Sequence, residues 1–205
     1  QITKKKWQEL EREIWANPLL TEKEPNGNCS DRTELIANFL DKSGHQSEKI
    51  LIISHNGKIT PIKKSSKGWQ AFSYSMHIAN VVTISENGIF NKYVIDPMFT
   101  DGPVLIEKYI RDISYDSKNP LDYKIYNEGY RYNYEFELPE ILPKRICNYS
   151  NIKIKQIEQI LEQVPEHQNS QRVFFKDRQT AHFAMVLLSG EITKEFKDWY
   201  QGDPQ

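Results

Sequence analysis

Three side chains of types that act together in nucleophilic catalysis follow one another along the sequence: Cys29, His77 and Asp96. A cysteine attacks as its thiolate, and the pKa of an ordinary cysteine is about 8.5. A neighbouring imidazolium lowers that pKa, and a carboxylate orients the imidazole through its other ring nitrogen. These residue types therefore suit a thiol nucleophile, its acid/base and the group that orients the base.

The residues before Cys29 favour its placement at the start of a helix. Gly27 and Asn28 end a loop rich in turn-forming residues, and a helical pattern follows from Cys29 to Ser43. With Asn28 as N-cap, Cys29 lies in the first turn, where backbone N–H groups and the helix dipole favour an anion. The backbone N–H groups of Asn28 and Cys29 are candidate oxyanion donors. The alternative is that Cys29 is a small buried hydrophobic residue.

A predicted hairpin brings His77 and Asp96 together. His77 lies at the start of the strand 76–84, and after a turn signal the strand 91–96 ends at Asp96. In an antiparallel pair the start of one strand lies beside the end of the other. The carboxylate can then reach one ring nitrogen and the thiol the other. An isolated histidine is more often structural, so the prediction depends on this pairing.

The hydrophobic pattern predicts an α+β fold, with the cysteine-bearing helix packed on an antiparallel sheet. An amphipathic helix covers 3–16, and Asn56-Gly57 predicts a hairpin between strands 49–54 and 58–62. The basic run from Lys63 to Lys67 is expected to be a solvated loop. Further strands are expected at 122–126 and 130–137, joined at Glu128-Gly129, and helices at 103–113, from about 150, at 176–189 and around Phe196 and Trp199. We expect a catalytic core at 1–145 and a helical C-terminal portion at 146–205, either in the same domain or as a small lobe.

Composition argues against several other functions. The formal net charge is −1 and 38% of residues are hydrophobic, so neither nucleic-acid binding nor membrane insertion is expected. No His, Cys and Asp residues have metal-ligand spacing, and we expect no metal and no cofactor. Cys147 is expected to be a structural thiol, with a Cys29–Cys147 disulfide as the alternative.

Three segments together resemble a known family. They are Gly27-Asn-Cys29-Ser-Asp-Arg-Thr-Glu-Leu-Ile36, Ser73-Tyr-Ser-Met-His77-Ile-Ala-Asn-Val-Val82 with Trp69 before it, and Tyr93-Val-Ile-Asp96-Pro-Met-Phe99. They are similar to the bacterial protein-glutaminase (protein-glutamine deamidase) family, over roughly residues 25–100. Two features depart from the family pattern. Met76 precedes His77 where the family often has an aromatic residue, and the C-terminal helical portion has no match.

The resemblance implies a papain/transglutaminase-like core that hydrolyses glutamine side-chain amides in proteins through a cysteine thioester. It assigns Cys29 as nucleophile, His77 as acid/base and Asp96 as its orienter, while Trp69, Tyr74 and Phe99 are candidates to line the substrate channel or to pack in the core. A transglutaminase, a cysteine protease and a non-catalytic binding module of the same fold remain alternatives.

The expected partner is a protein that presents an exposed glutamine, a host protein among the candidates. We expect a monomer. The sequence begins at Gln1 without a methionine, which is consistent with removal of a signal or pro-segment. The enzyme class and this start together predict a secreted protein, delivered as an effector or toxin.

Overall fold

The chain folds as a mainly antiparallel sheet with helices on both faces. The computed structural model describes residues 2–22, 28–54, 59–72, 74–114, 121–127, 130–133, 138–141, 151–163 and 174–182. Its helices are α1 (Lys4–Trp15), α2 (Pro18–Thr21), α3 (Cys29–Lys42), α4 (Ile106–Ile113) and α5 (Asn151–Gln163). Within these described ranges, no helix is long and apolar enough to cross a bilayer. The predicted α+β class is confirmed.

The main sheet has six strands. Five lie side by side in the order β7 (Val104–Leu105), β6 (Ile89–Ile95), β5 (Met76–Glu86), β2 (Glu48–Ile53) and β8 (Tyr123–Tyr126). The short strand β1 (Ile2–Thr3) runs parallel to the far end of β5. The long strand β5 therefore lies inside the sheet, which explains its nearly continuous burial.

Alternating side chains of β5 enter two cores. Val82 and Ile84 pack with α1, α3 and α5 on one face of the sheet. Ala79 and Val81 pack with α4 on the other face. Because residues two apart point to the same face, His77 shares the α4 face with Ala79 and Val81.

Two sequence-predicted boundaries of the elements that hold the candidate site residues are confirmed. The β5–β6 turn has Asn87 and Gly88 at φ 51° and 78°, the left-handed values that a tight hairpin turn requires. Helix α3 ends at Lys42, and Gly44 after it is also left-handed, at φ 78°. There the Gly44 N–H donates to the Asp41 carbonyl and the His45 N–H to the Leu40 carbonyl, which completes a Schellman motif.

One predicted strand pairing is wrong. The segment 49–54 was expected to pair with 58–62, but β2 pairs with β5 on one side and β8 on the other. The apolar β2 thus takes partners that bury both its edges, and tertiary burial overrides the local turn signal at Asn56-Gly57. The strands expected at 122–126 and from 130 are observed as β8 and β9 (Tyr130–Asn133), and β9 pairs with β10 (Leu138–Ile141).

The basic run is a hairpin and not the solvated loop that the sequence suggested. Strand β3 (Ile62–Ser65) pairs with β4 (Gly68–Ala71), and the Lys63 side chain is buried. The sequence predicts a loop over 19–28, but Pro18–Thr21 form the short helix α2, with Asn17 as its N-cap.

The C-terminal region contributes to the core through α5. Ile154, Ile157 and Leu161 pack in the same cluster as Trp7 and Leu10 of α1. Residues 178–182 are helical, which matches the start of the helix expected at 176–189. Two further predictions lie outside the described residues: the helix around Phe196 and Trp199, and the structural role of Cys147. The boundary at residue 145 stays a prediction.

Candidate active site

Cys29 is the first residue of α3. Its side chain is a thiol, half-buried beside Leu51 and Ile78. Asn28 occupies the N-cap position, and its carbonyl accepts the Arg32 N–H at 3.1 Å, but its side chain makes no capping hydrogen bond. The predicted position of the cysteine in the first helical turn is therefore confirmed, whereas side-chain capping by Asn28 is absent. The helix dipole has its positive end at the thiol.

His77 and Asp96 meet at the end of the β5–β6 hairpin. The histidine Nε2 lies 2.8 Å from Asp96 Oδ2, and only 3% and 7% of the two residues are exposed. The strand ladder ends where Asn80 pairs with Ile95, so Asp96 lies diagonally from His77 on the same face. The hairpin thus brings the pair together as expected, with a diagonal offset that the sequence did not specify.

The His77 ring also hydrogen-bonds with Cys29. Because Asp96 occupies Nε2, Nδ1 is the nitrogen left for the thiol. Burial alone lowers the pKa of His77, but the charge and hydrogen bond of Asp96, together with those of Cys29, raise it to about 10. The imidazole is therefore protonated at neutral pH, and an imidazolium beside a thiol favours the thiolate.

Asp96 is held from several directions. The Phe99 and Thr100 N–H groups donate to its carbonyl, both at 3.0 Å, in the turn that follows β6. The Tyr109 hydroxyl donates to Oδ2 at 2.5 Å, the same oxygen that meets His77. Burial and the Asp96 charge raise the pKa of Tyr109 well above its ordinary value, so the phenol remains a donor. These contacts leave the Asp96 carboxylate little freedom to rotate.

Sequence reasoning missed two residues at this site, Tyr109 and Arg32. Tyr109 belongs to the apolar face of α4, and nothing in its local pattern separates it from a core aromatic residue. Arg32 lies one turn after Cys29, is buried and lines the same pocket. Burial lowers the pKa of Arg32, and the charges of Asp96 and Cys29 oppose that change. A buried arginine in the turn after the cysteine was the available signal, since arginine is seldom buried without a charged partner.

Two of the three predicted substrate-binding residues surround the His77 ring. Tyr74 stacks on it at 5.9 Å between centroids, and Phe99 meets it edge-on at 5.6 Å. Phe72 packs against both of these aromatic residues. Trp69 is not in this cluster but on β4, where it lines a neighbouring groove with Phe99. The aromatic cluster screens the imidazole from water, which strengthens its electrostatic interactions.

A small pocket joins these groups. Its lining includes Cys29, Arg32, His77, Asp96 and Phe99. Over the part of the chain that the structure describes, no group of His, Cys, Asp and Glu residues could hold a metal ion. The functional groups that line the pocket include a thiol, an imidazole, a carboxylate and a buried guanidinium.

The fold is similar to solved protein-glutaminases. A crystal structure of pro-protein-glutaminase is 15% identical, with a TM-score of 0.58, over 84% of this chain and 64% of that chain. A crystal structure of protein-glutaminase is also 15% identical, with a TM-score of 0.56, over 84% of this chain and 97% of that one. At this identity the likeness shows the fold, and the match spans less than two thirds of the pro-protein chain. No curated protein sequence matches significantly.

The fold and the pocket thus define a protein-glutaminase-like α+β class. A family model described as Glutaminase matches residues 3–113, which is more than half of the chain. The chain belongs to this glutaminase family. The matched range contains Cys29, His77, Asp96 and Tyr109 and ends before the C-terminal region.

Proposed function

We propose that this protein is a protein-glutamine deamidase, which hydrolyses glutamine side-chain amides in proteins to glutamate and ammonia. One observation carries the proposal: in a chain of the glutaminase family, a buried His77 hydrogen-bonds with both Cys29 and Asp96. This is the arrangement that a thiol nucleophile needs. It supports Cys29 as nucleophile, His77 as acid/base and Asp96 as the residue that orients it.

In the first half of the reaction, the Cys29 thiolate adds to the amide carbon of the glutamine side chain. The negative charge moves to the amide oxygen, where the backbone N–H groups of Cys29 and Asn28 are the proposed donors. The imidazolium of His77 then gives its proton to the departing nitrogen. The carbon–nitrogen bond breaks, ammonia leaves and a thioester remains on Cys29.

In the second half, water attacks the thioester carbon and neutral His77 accepts its proton. Collapse of this adduct breaks the carbon–sulfur bond. It releases the new carboxylic acid, which gives its proton to solvent to become the carboxylate, and it restores the thiolate–imidazolium pair. Tyr109 acts as a positioning residue, because its hydroxyl holds the Asp96 oxygen that contacts His77. Secretion, a host substrate and a monomeric state stay predictions from the sequence.

The test is ammonia release from a glutamine-containing protein, with mass spectrometry of the product and with and without an added primary amine. We expect each modified glutamine to carry the mass of glutamate. An amine adduct would instead support a transglutaminase, and chain cleavage a protease. A Cys29→Ala variant should lose at least about 10⁴-fold in rate, since the nucleophile is absent. Unchanged turnover by that variant would exclude a thiol mechanism.

The two cysteines allow a matched control. Carbamidomethylation by iodoacetamide should inactivate the wild-type protein and label Cys29 much faster than Cys147. A Cys147→Ala variant should keep its activity and its sensitivity to the reagent. Equal, slow labelling of both residues, with no ammonia release, would favour a binding module without catalysis.

A further inference from the structure

A groove open to solvent lies next to the pocket, between the β3–β4 hairpin and α4. Its walls include Lys64 and Trp69 from the hairpin, Lys108 and Asp112 from α4, and Arg178 from the C-terminal region. We call it the hairpin–α4 groove. It has about 1170 Å³ of space, part of which is open to solvent, so it can hold more than one side chain.

The hairpin–α4 groove adjoins the catalytic pocket. Pro97, Met98 and Phe99 line both of them. Phe99 also packs edge-on against His77, so one residue contacts the His77 ring and lines the groove. A polypeptide with its glutamine side chain at Cys29 therefore has this groove as an adjoining path for its neighbouring residues.

The charge of the groove is opposite in sign to that of the whole chain. Its lining contains the cations Lys63, Lys64, Lys108 and Arg178 and the carboxylates Asp101 and Asp112, a formal excess of two positive charges, whereas the chain carries −1. Lys108 and Asp112 form an ion pair, which leaves the excess on the other members. Such a local field attracts anions.

An exposed cation lies on each wall, whereas Lys63 is buried. Lys64 is exposed and its Nζ lies 5.6 Å from the centre of the Trp69 ring. Arg178 is exposed, and its Nη2 donates to the Asp112 carbonyl at 3.3 Å. A bound carboxylate can therefore interact with a lysine on one wall and an arginine on the other.

The C-terminal segment is held firmly enough to place Arg178. The Trp69 N–H donates to the Phe175 carbonyl and the Phe175 N–H to the Trp69 carbonyl, both at 2.8 Å. Gly68 permits this approach, because its φ is 126° and a Cβ there would lie 2.6 Å from the Phe175 oxygen. The region beyond the family match thus contributes a charged side chain beside the active site.

We propose that the hairpin–α4 groove binds the residues flanking the target glutamine and selects substrates in which these residues are acidic. This inference rests on the proposed deamidase function and names its substrate class. Trp69 supplies an apolar surface for the bound backbone, while Lys64 and Arg178 recognise carboxylates. The C-terminal region then acts in substrate choice as well as in completing the core.

The experiment compares two capped peptides of equal length with one central glutamine, flanked by aspartates in one and by lysines in the other. Ammonia release should give kcat/KM at least about tenfold higher for the acidic peptide, and added salt should reduce this ratio. A Lys64→Gln/Arg178→Gln variant should bring the ratio near one. N-acetyl-Gln-Gly amide, which is too short to extend along the groove, is the reference substrate, and its turnover by the wild type tests the deamidase function separately.

The matched control is Lys5→Gln/Lys155→Gln, which removes two exposed lysines outside the groove lining and should preserve the preference. Equal kcat/KM for both peptides in the wild type, or a preference that survives in the groove variant, would overturn the inference. If either of these results occurs but the dipeptide still releases ammonia, only the groove inference fails and the deamidase function stands. If no substrate releases ammonia, the deamidase function fails. Binding to Cys29→Ala then tests the groove alone, and the acidic peptide should bind at least about tenfold more tightly.

Discussion

Two buried ion pairs in the part of the chain that the structure describes differ in what surrounds them. Lys49 of β2 pairs with Glu34 of α3, and both side chains are 1% exposed. His77 of β5 pairs with Asp96, where the side chains are 4% and 9% exposed. The Lys49–Glu34 pair joins the nucleophile helix to the sheet, away from the catalytic pocket lining. The His77–Asp96 pair borders the pocket and contacts a thiol.

The difference shows that burial of charge does not by itself make a reactive site. A buried pair pays a desolvation cost that its mutual attraction offsets only with good geometry. For Lys49 and Glu34 the result is a fixed position of α3. His77 and Asp96 additionally have Cys29 and the aromatic cluster around them. In that setting the buried pair keeps the imidazole protonated beside the thiol.

Among changes to the two buried pairs, the largest expected effect on activity comes from Asp96→Asn. This change keeps the shape of the side chain but removes the negative charge that orients the His77 ring and raises its pKa. We therefore expect kcat to fall about 10³-fold. The pKa of His77, raised to about 10 in the wild type, should fall, as measured by NMR titration of the ring. Activity within tenfold of wild type would contradict the role given to Asp96.

The pH dependence of stability should follow His77. Its pKa is raised from 6.5 to about 10 in the folded state, so the folded protein retains the proton that the unfolded chain loses first. This stabilisation is complete below about pH 6.5 and is lost as the pH rises through about 10. Urea unfolding of wild type should show a loss on the order of a few kcal/mol across that window. The His77→Gln variant is the control, and an identical loss in that variant would assign the effect to other groups.

Breaking the Lys49–Glu34 pair should lower the free energy of unfolding and leave kcat nearly unchanged. Lys49→Met leaves the Glu34 carboxylate buried without its cation, and we expect the free energy of unfolding to drop by about 3 kcal/mol. The double variant Lys49→Met/Glu34→Leu should recover most of that loss, because no charge remains buried. Below the unfolding temperature, kcat of both should stay within about threefold of wild type.

A matched control for that comparison is the exposed pair Lys92–Glu48, whose side chains are 45% and 33% exposed. Lys92→Met should change the free energy of unfolding by less than about 0.5 kcal/mol, since solvent screens an exposed pair. A loss of kcat in Lys49→Met without a loss of stability would remove the distinction between the two buried pairs.

Among changes at the candidate active site, the smallest expected effect on kcat is that of Tyr109→Phe. Removing one hydroxyl should lower kcat about tenfold by loosening Asp96. The pKa of His77 should rise further, because the carboxylate loses a donor that shares its charge. A role confined to packing would change stability without changing the His77 titration. Tyr93→Phe, on β6 and half-buried, is the control and should leave both quantities unchanged.

Local sequence patterns determined the parts of the site that depend on neighbouring residues. The helix that starts at Cys29 and the hairpin turn at Asn87-Gly88 follow from capping, periodicity and left-handed turn positions. The turn places His77 and Asp96 at the same end of two paired strands, so their contact could be predicted without a structure.

Only the tertiary structure decided the contacts between segments distant in sequence. The partners of β2, the approach of Tyr109 to Asp96, the Lys49–Glu34 pair and the position of Arg178 all depend on how helices pack against the sheet. No local pattern encodes these contacts, because their energy comes from burial shared among many residues. For this reason the candidate groups Cys29, His77 and Asp96 could be named from the sequence, whereas the residues that contact them and the groove beside them could not.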